Sequence, residues 1–458
     1  MGLATGSSSY FLFVAAVFFV YWALPQARLF RLSAILLANY YFCARFGLFY
    51  VLLIPACSTV DFLVGLGLMR ARRNFLRRAL VGVSILMNVA LLVGSRHMGA
   101  VVGPHWDWIF PLGLSFYTFQ ALTYTLDLYR RDADGTDSLL AYLSAVSFFP
   151  TLLAGPITRV SDLISQMAKR KPLDRVEGGR ALFLIALGLL KKTAIADLLA
   201  ENLVNRVFDT PKLYGGAEVL LAVYAYSLQL YFDFSGYTDI ARGCAQLLGI
   251  RLPLNFERPY ASSNLTEFWR RWHISFSDWL RDYLYFALPG KRTKLMPYLN
   301  LVITMVLGGL WHGVTWTFAV WGLLHGSMLA ITRAYLARRG RARTPGKGWR
   351  HALAVFGTYQ FVCFTWIFFR AGSMSNAMDI LGRIASLSTG LENVGMRFAL
   401  AVALGAATFF VPKKWSTASV ERFAACPFYV HAAALAAVAA TLRYFGTSGN
   451  AAFVYSRF

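Results

Sequence analysis

Long apolar runs separated by short polar and basic breaks occupy almost the whole chain. The runs fall near residues 10–25, 32–47, 49–69, 79–95, 108–128, 181–198, 216–234, 297–311, 314–332, 351–369 and 396–411, with a further candidate at 427–445. Most are about 16–21 residues long, enough to cross a hydrocarbon core roughly 30 Å thick. The pattern predicts an all-α polytopic membrane protein with about eleven transmembrane helices. The first run ends at Leu24 and is followed by Pro25, Arg28 and Arg31. It lacks a small-residue cleavage pattern and leads into a second apolar run, so an uncleaved span is expected rather than a signal peptide.

Two stretches break the rhythm. Residues 138–158 are apolar but interrupted by Pro150, Gly155 and Pro156, and residues 235–288 carry many polar groups. Irregular backbone at membrane depth is tolerated only where protein or a water-filled cavity satisfies its polar groups. Both stretches are therefore read as re-entrant or interfacial and as places for a site. Within the second, EFWRRWHISFSDWLRDYLY (267–285) sets Phe268, Trp272, Phe276, Trp279 and Tyr283 at three- and four-residue steps. Glu267, Arg270, Arg271, Asp278, Arg281 and Asp282 hold another face, which predicts an amphipathic helix lying along an interface. Glu267 with Arg271, and Asp278 with Arg281 or Asp282 with neighbouring cations, stand at pairing distance on such a helix. No soluble domain, long linker or internal repeat interrupts the chain, so 1–458 is read as one integral-membrane domain.

Composition agrees: 57% of the 458 residues are hydrophobic and only 15% charged, where a soluble chain carries about a quarter. The net charge of +23 raises a nucleic-acid reading. Its distribution argues otherwise. Lys and Arg fall in clusters between apolar runs, at Arg70 to Arg78, Lys169 to Arg180, Lys291 to Lys294 and Arg333 to Arg350. That is the positive-inside pattern of cytoplasmic loops, and it also suits anionic lipid or an anionic nucleotide thioester. A basic face interleaved with exposed aromatics, as nucleic acid requires, is missing. Placing all four clusters in the cytoplasm demands an even number of crossings between neighbours. The runs give this if both irregular stretches do not cross, and the first span then starts outside. Cys43, Cys57, Cys244, Cys363 and Cys426 are far apart without CxxC or CxxH spacing, so they are expected as small hydrophobes, and no metal site is expected.

Ionisable groups inside a membrane are costly and suggest function by default. Of seven histidines, His97 and His105 sit in a loop, while His351 and His431 lie at span ends, where solvated or structural roles are expected. His312 lies in GGLWHG, flanked by Gly308, Gly309 and Gly313, where small residues leave room for a ligand. A histidine there can accept a proton near neutral pH, as attack of a hydroxyl on a thioester requires. Position alone leaves a buried hydrogen-bonded histidine equally open. His273, beside Trp269 and Trp272, reads from position as interfacial, and His325 in WGLLHG as a packing residue. QLYFDFSGYTDIARG (229–243) places Asp233 and Asp239 among Gln229, Tyr231, Ser235, Tyr237 and Thr238 at an apparent break in a span. A cavity lining and a hydrogen-bonded re-entrant loop explain it equally well. GxSxG, HExxH and GK[ST] signatures are absent.

PLGLSFYTFQALTYTLDLYR (111–130), FFPTLLAGPITR (148–159), QLYFDFSGYTDIARG (229–243), NLTEFWRRWHISFSDWLRDYLY (264–285) and LGGLWHG (307–313) occur in this order. Over about residues 110–330 the chain resembles the membrane-bound O-acyltransferase family, in its bacterial polysaccharide branch. The resemblance implies a ring of helices around a central tunnel, with the acyl donor entering from the cytoplasm and the acceptor from the outer side. It places the family's essential histidine on His312 and its second signature position on His273. Trp311, Asp233, Asp239, Tyr237, Trp272 and His325 become candidate tunnel-lining residues. The chain departs from the branch at LPGKR (288–292), where Pro289 stiffens the turn, and its ending AAFVYSRF matches loosely.

The expected activity is acetyl transfer from acetyl-CoA, a donor substrate rather than a resident cofactor, toward a cell-surface or secreted polysaccharide such as alginate, cellulose or peptidoglycan. The branch implies a periplasmic esterase-like partner and the bacterial inner membrane. D-alanyl transfer to teichoic acid, a lipid or small-molecule acceptor, and a transporter or flippase for a lipid-linked sugar are the competing readings.

Overall fold

A computed structural model describes residues 7–25, 27–102, 113–169, 172–290, 293–339 and 348–445. His105, residues 108–112 of the fifth predicted span, Lys291 and Arg292 of the LPGKR turn, and AAFVYSRF lie outside them.

The described chain is helical, with no strand among the described residues. In order come Ser8–Ala23 (α1), Arg28–Ala44 (α2), Leu48–Arg70 (α3), Asn74–Val102 (α4), Leu114–Arg130 (α5), Leu139–Val146 (α6), Phe149–Leu152 (α7), Val160–Ala168 (α8) and Arg175–Leu189 (α9). π-helical turns at Leu190–Asp197 and Ala200–Val204 lead into Asn205–Asp209 (α10) and Gly216–Leu247 (α11). Leu265–Trp269 (α12) and Ile274–Trp279 (α13, running on as a π-turn over Leu280–Tyr285) precede Met296–His312 (α14) and Trp316–Arg339 (α15). Trp349–Arg370 (α16), Met374–Ala385 (α17), Met396–Thr408 (α18), Lys413–Ala425 (α19) and Phe428–Phe445 (α20) complete the order.

Phe49–Arg70, Asn74–Gly94 and Trp349–Arg370 are individually long and apolar enough to cross a membrane. Met396–Thr408 and Lys413–Ala425 satisfy the criterion together but bend by 97° at their junction, beside Pro412. Leu12, Phe19, Leu37, Leu52 and Leu86 turn large apolar side chains outward from α1 to α4. Water would penalise such surfaces and lipid would not. The protein is a membrane protein. The count of eleven rests on the hydropathy pattern.

The chain divides into two compact units. The first takes 1–186, 237–253 and 420–431, and the second takes 187–236, 254–419 and 432–458. In the first unit the interruption predicted for 138–158 is present between α6 and α7. Asn39 spans it, donating from Nδ2 to the Ser144 carbonyl (3.0 Å) and accepting at Oδ1 from the Phe149 N–H (2.9 Å). A side-chain amide thus satisfies backbone groups that the break would orphan. Arg77 does the same for two helix ends, donating to the carbonyls of Leu68, Leu128 and Tyr129.

Two expectations about 235–288 are corrected. The helix does not break at Ser235: α11 runs unbroken through Gly236 to Leu247. Nor is 267–285 one interfacial helix. It is interrupted at Arg270–His273, and Phe268, Trp272 and Phe276 are buried rather than displayed. The ion pairs expected there do form, Glu267 with Arg271 at 2.5 Å and Asp278 with Arg281 at 2.6 Å.

Candidate active site

In the second unit, α14 and α15 pack as a close hairpin. A Cβ on Gly309 would stand 2.4 Å from the Phe318 carbonyl oxygen, and one on Gly322 would stand 2.4 Å from that of Met305. Only glycine permits this approach. The hairpin fixes the end of α14, where Trp311 and His312 are both buried. Around the His312 ring stand Trp311 (centroids 4.6 Å apart), Phe369 (4.8 Å), Trp321 (5.6 Å), Phe318 (5.8 Å) and Phe276 (6.1 Å). Aromatic walls exclude water and strengthen any polar interaction the imidazole makes with a reactant.

His273 enters this region from another element. Asn264 caps α12 by accepting from the Glu267 N–H (2.9 Å), and Glu267 returns a carboxylate to the Ser263 N–H (2.7 Å). Together the two bonds fix the start of the short helix. The chain then turns at His273, which adopts φ +43°, a left-handed conformation uncommon outside glycine. The ring packs on Phe234 (4.7 Å) and Phe276 (4.9 Å), and its Nδ1 lies 3.1 Å from Asn255 Oδ1. Burial lowers its pKa to about 3, so the imidazole is neutral. His273 and His312 therefore share Phe276 as a common neighbour. Trp272 packs beside them against Phe256 and Trp366.

The other candidates separate by surroundings. His325 accepts from the Trp269 indole N–H at Nδ1 (3.3 Å) and pairs through Nε2 with Thr365 Oγ1 (2.9 Å). Asp233 meets a partner that sequence reasoning missed: Lys192 Nζ lies 2.6 Å from Asp233 and 2.8 Å from Asp197. Lys192 stands in the π-helical turn, whose wider winding is frequent at functional sites. Two adjacent lysines inside the predicted span 181–198 were the available signal. Tyr237 and Asp239 belong to the first unit, where Asp239 pairs with Arg242 at 3.6 Å. Of the histidines read as structural, His431 bonds through Nε2 to the Phe423 carbonyl (2.7 Å). Cys43, Cys244 and Cys363 are buried.

The profile of the membrane-bound O-acyltransferase family matches residues 105–375. A probable alginate O-acetylase of Azotobacter vinelandii is 44% identical over 59% of this chain and 52% of its own length, so the chain spans about half of that relative. A probable alginate O-acetylase of Pseudomonas fluorescens is 37% identical over 83% of this chain and 75% of its own length. A peptidoglycan O-acetyltransferase of Helicobacter pylori is 32% identical over 81% of this chain and 77% of its own. A teichoic acid D-alanyltransferase of Streptococcus thermophilus is 31% identical over 56% of this chain and 68% of its own.

Proposed function

From the premise that the chain belongs to the membrane-bound O-acyltransferase family, we propose that it moves acetyl groups from acetyl-CoA to hydroxyls of a cell-surface or secreted polysaccharide. The observation that carries this reading is the buried His312 at the end of α14, inside an aromatic wall that His273 approaches across Phe276. His312 takes the proton of the acceptor hydroxyl as its oxygen attacks the thioester carbonyl. A C–O bond forms, the C–S bond breaks, and the proton returns to the leaving thiolate, so neither charge nor atoms are left over. General-base action supplies about 10²–10⁴ of the rate and positioning supplies the rest.

The chain forms about eleven spans in a ring around a tunnel in the bacterial inner membrane. Donor enters from the basic cytoplasmic side and acceptor from outside, with a periplasmic esterase-like protein receiving or delivering the group. Acetyl is favoured over D-alanyl because relatives named for O-acetylation align over 81–83% of this chain, against 56% for the D-alanyltransferase. The test is the acetyl content of surface glycan in cells carrying His312→Ala at parental protein levels. A fall of 10²-fold or more is expected, and unchanged acetylation defeats the assignment.

A further inference from the structure

Asn255 lies in the segment between α11 and α12, and its contacts determine which nitrogen of His273 carries hydrogen. Its backbone carbonyl accepts from the Ile274 N–H at 2.9 Å. Its side-chain Oδ1 accepts from the Ser275 backbone N–H (3.2 Å) and from Ser275 Oγ (3.0 Å), and stands 3.1 Å from His273 Nδ1. Which end of the amide faces the turn is fixed by its neighbours. Here the Ser275 N–H decides, because a backbone N–H only donates and must face the oxygen. An amide oxygen only accepts, so His273 Nδ1 must be the donor. A neutral imidazole holds one ring hydrogen, and Nε2 is therefore the accepting nitrogen of the ring.

The surroundings hold this state. The left-handed turn at His273 is fastened on both sides by backbone bonds, Glu257 N–H to the Arg271 carbonyl (2.9 Å) and Ile274 N–H to the Asn255 carbonyl. Phe234, Phe256 and Phe276 wall the ring, and none bears charge. We propose that Asn255 is the positioning residue of the site: it fixes the Nδ1–H form of His273 and makes Nε2 an acceptor for a hydroxyl or amide hydrogen of a reactant. His273 then orients a donor group, and the stabilisation of the developing oxyanion falls to other groups. This rests on the reading above, in which His312 is the base of the acyl transfer and His273 stands beside it across Phe276.

The test uses the full chain, purified in detergent and assayed for acetyl-CoA turnover with a glycan acceptor. Asn255→Asp keeps an acceptor opposite Nδ1 and is expected to retain activity within about tenfold of the parent. Asn255→Leu removes the acceptor and is expected to lose about 10²–10⁴-fold, in kcat rather than KM, the scale of misplacing a catalytic tautomer. Equal losses in both variants, or an Asn255→Leu rate within threefold of the parent while His273→Ala is inactive, overturn the positioning role and leave the acyltransfer reading intact. Full activity of His273→Ala instead removes His273 from the reaction and overturns the proposal as well, while the earlier reading stands or falls with His312→Ala. A second measurement does not depend on how the Asn255 variants fold. In 15N-histidine-labelled parent protein, the ring signal lost in His273→Gln is expected to report Nδ1–H, and an Nε2–H signal overturns the proposal.

Discussion

His273 and His325 are both buried among aromatic rings, yet their hydrogen bonds give them different work. Thr365 donates its hydroxyl to the Val362 carbonyl (2.8 Å), so toward His325 it accepts, and the hydrogen sits on Nε2. Nδ1 then takes the Trp269 indole N–H. Both nitrogens are committed to protein groups, and the ring joins α12, α15 and α16 into one packed unit. The expected outcome for Thr365→Val follows from leaving a buried N–H without its acceptor, a cost of about 1–3 kcal/mol. The detergent-solubilised protein should unfold several degrees earlier while the rate per folded molecule stays within about threefold of the parent. A hundredfold loss of rate at an unchanged unfolding temperature would instead put His325 in the chemistry.

At the scale of elements, the α14–α15 hairpin is what delivers His312. A methyl at Gly322 would collide with the Met305 backbone, which no rotamer change relieves. Gly322→Ala is expected to cost about 1–3 kcal/mol and to reduce acetyl transfer at least tenfold by displacing the end of α14. Gly357 on α16 is the control: a Cβ there meets nothing within 4 Å, and Gly357→Ala should leave both properties unchanged. Parental activity in Gly322→Ala would show that the hairpin tolerates separation. The helices themselves were legible, because a long apolar run is a local property. Their interruptions were legible only in part. Pro150 and Gly155 announced the break near α7, since both act on their own backbone. The polar string at 233–239 suggested a break that does not exist, because Lys192 accompanies Asp233 and the helix need not open to satisfy it. In 267–285 the buried rings keep a helical period on both sides of His273, which hides the turn between them. Asn255 was silent where the two lysines were not: its partners His273 and Ser275 lie on the far side of an irregular segment, and spacing carries no trace of that contact.

At the scale of the whole molecule, the charge pattern predicts a sidedness that hydropathy alone does not. Residues 79–290 contain four predicted crossings, at 79–95, 108–128, 181–198 and 216–234, so the basic clusters around Arg73 and Lys294 must share a face. The positive-inside rule makes it the cytoplasmic one. Lys212 and Leu387, in the breaks after 181–198 and 351–369, then face outward. Both have exposed side chains that a reagent can reach. The experiment replaces Cys57 and Cys426, the two half-buried thiols, and introduces single cysteines at the four positions. A membrane-impermeant maleimide added to intact cells with a permeabilised outer envelope is expected to label positions 212 and 387. Positions 73 and 294 should react only after the membrane that holds the protein is opened. Reaction of 73 and 294 from opposite sides would require an odd number of crossings between them, and the span count would be wrong. Reaction of both from outside would invert the orientation and put the donor's basic entrance on the wrong face. The sidedness also bears on the chemistry, since α14 begins beside the Lys294 cluster and ends at His312. A 17-residue helix rises about 25 Å at 1.5 Å per residue. A donor confined to the cytoplasm and an acceptor confined to the outside can meet at His312 only if the protein opens a path along that length. Labelling that confirms the topology would support the proposed transfer through the membrane rather than at one surface.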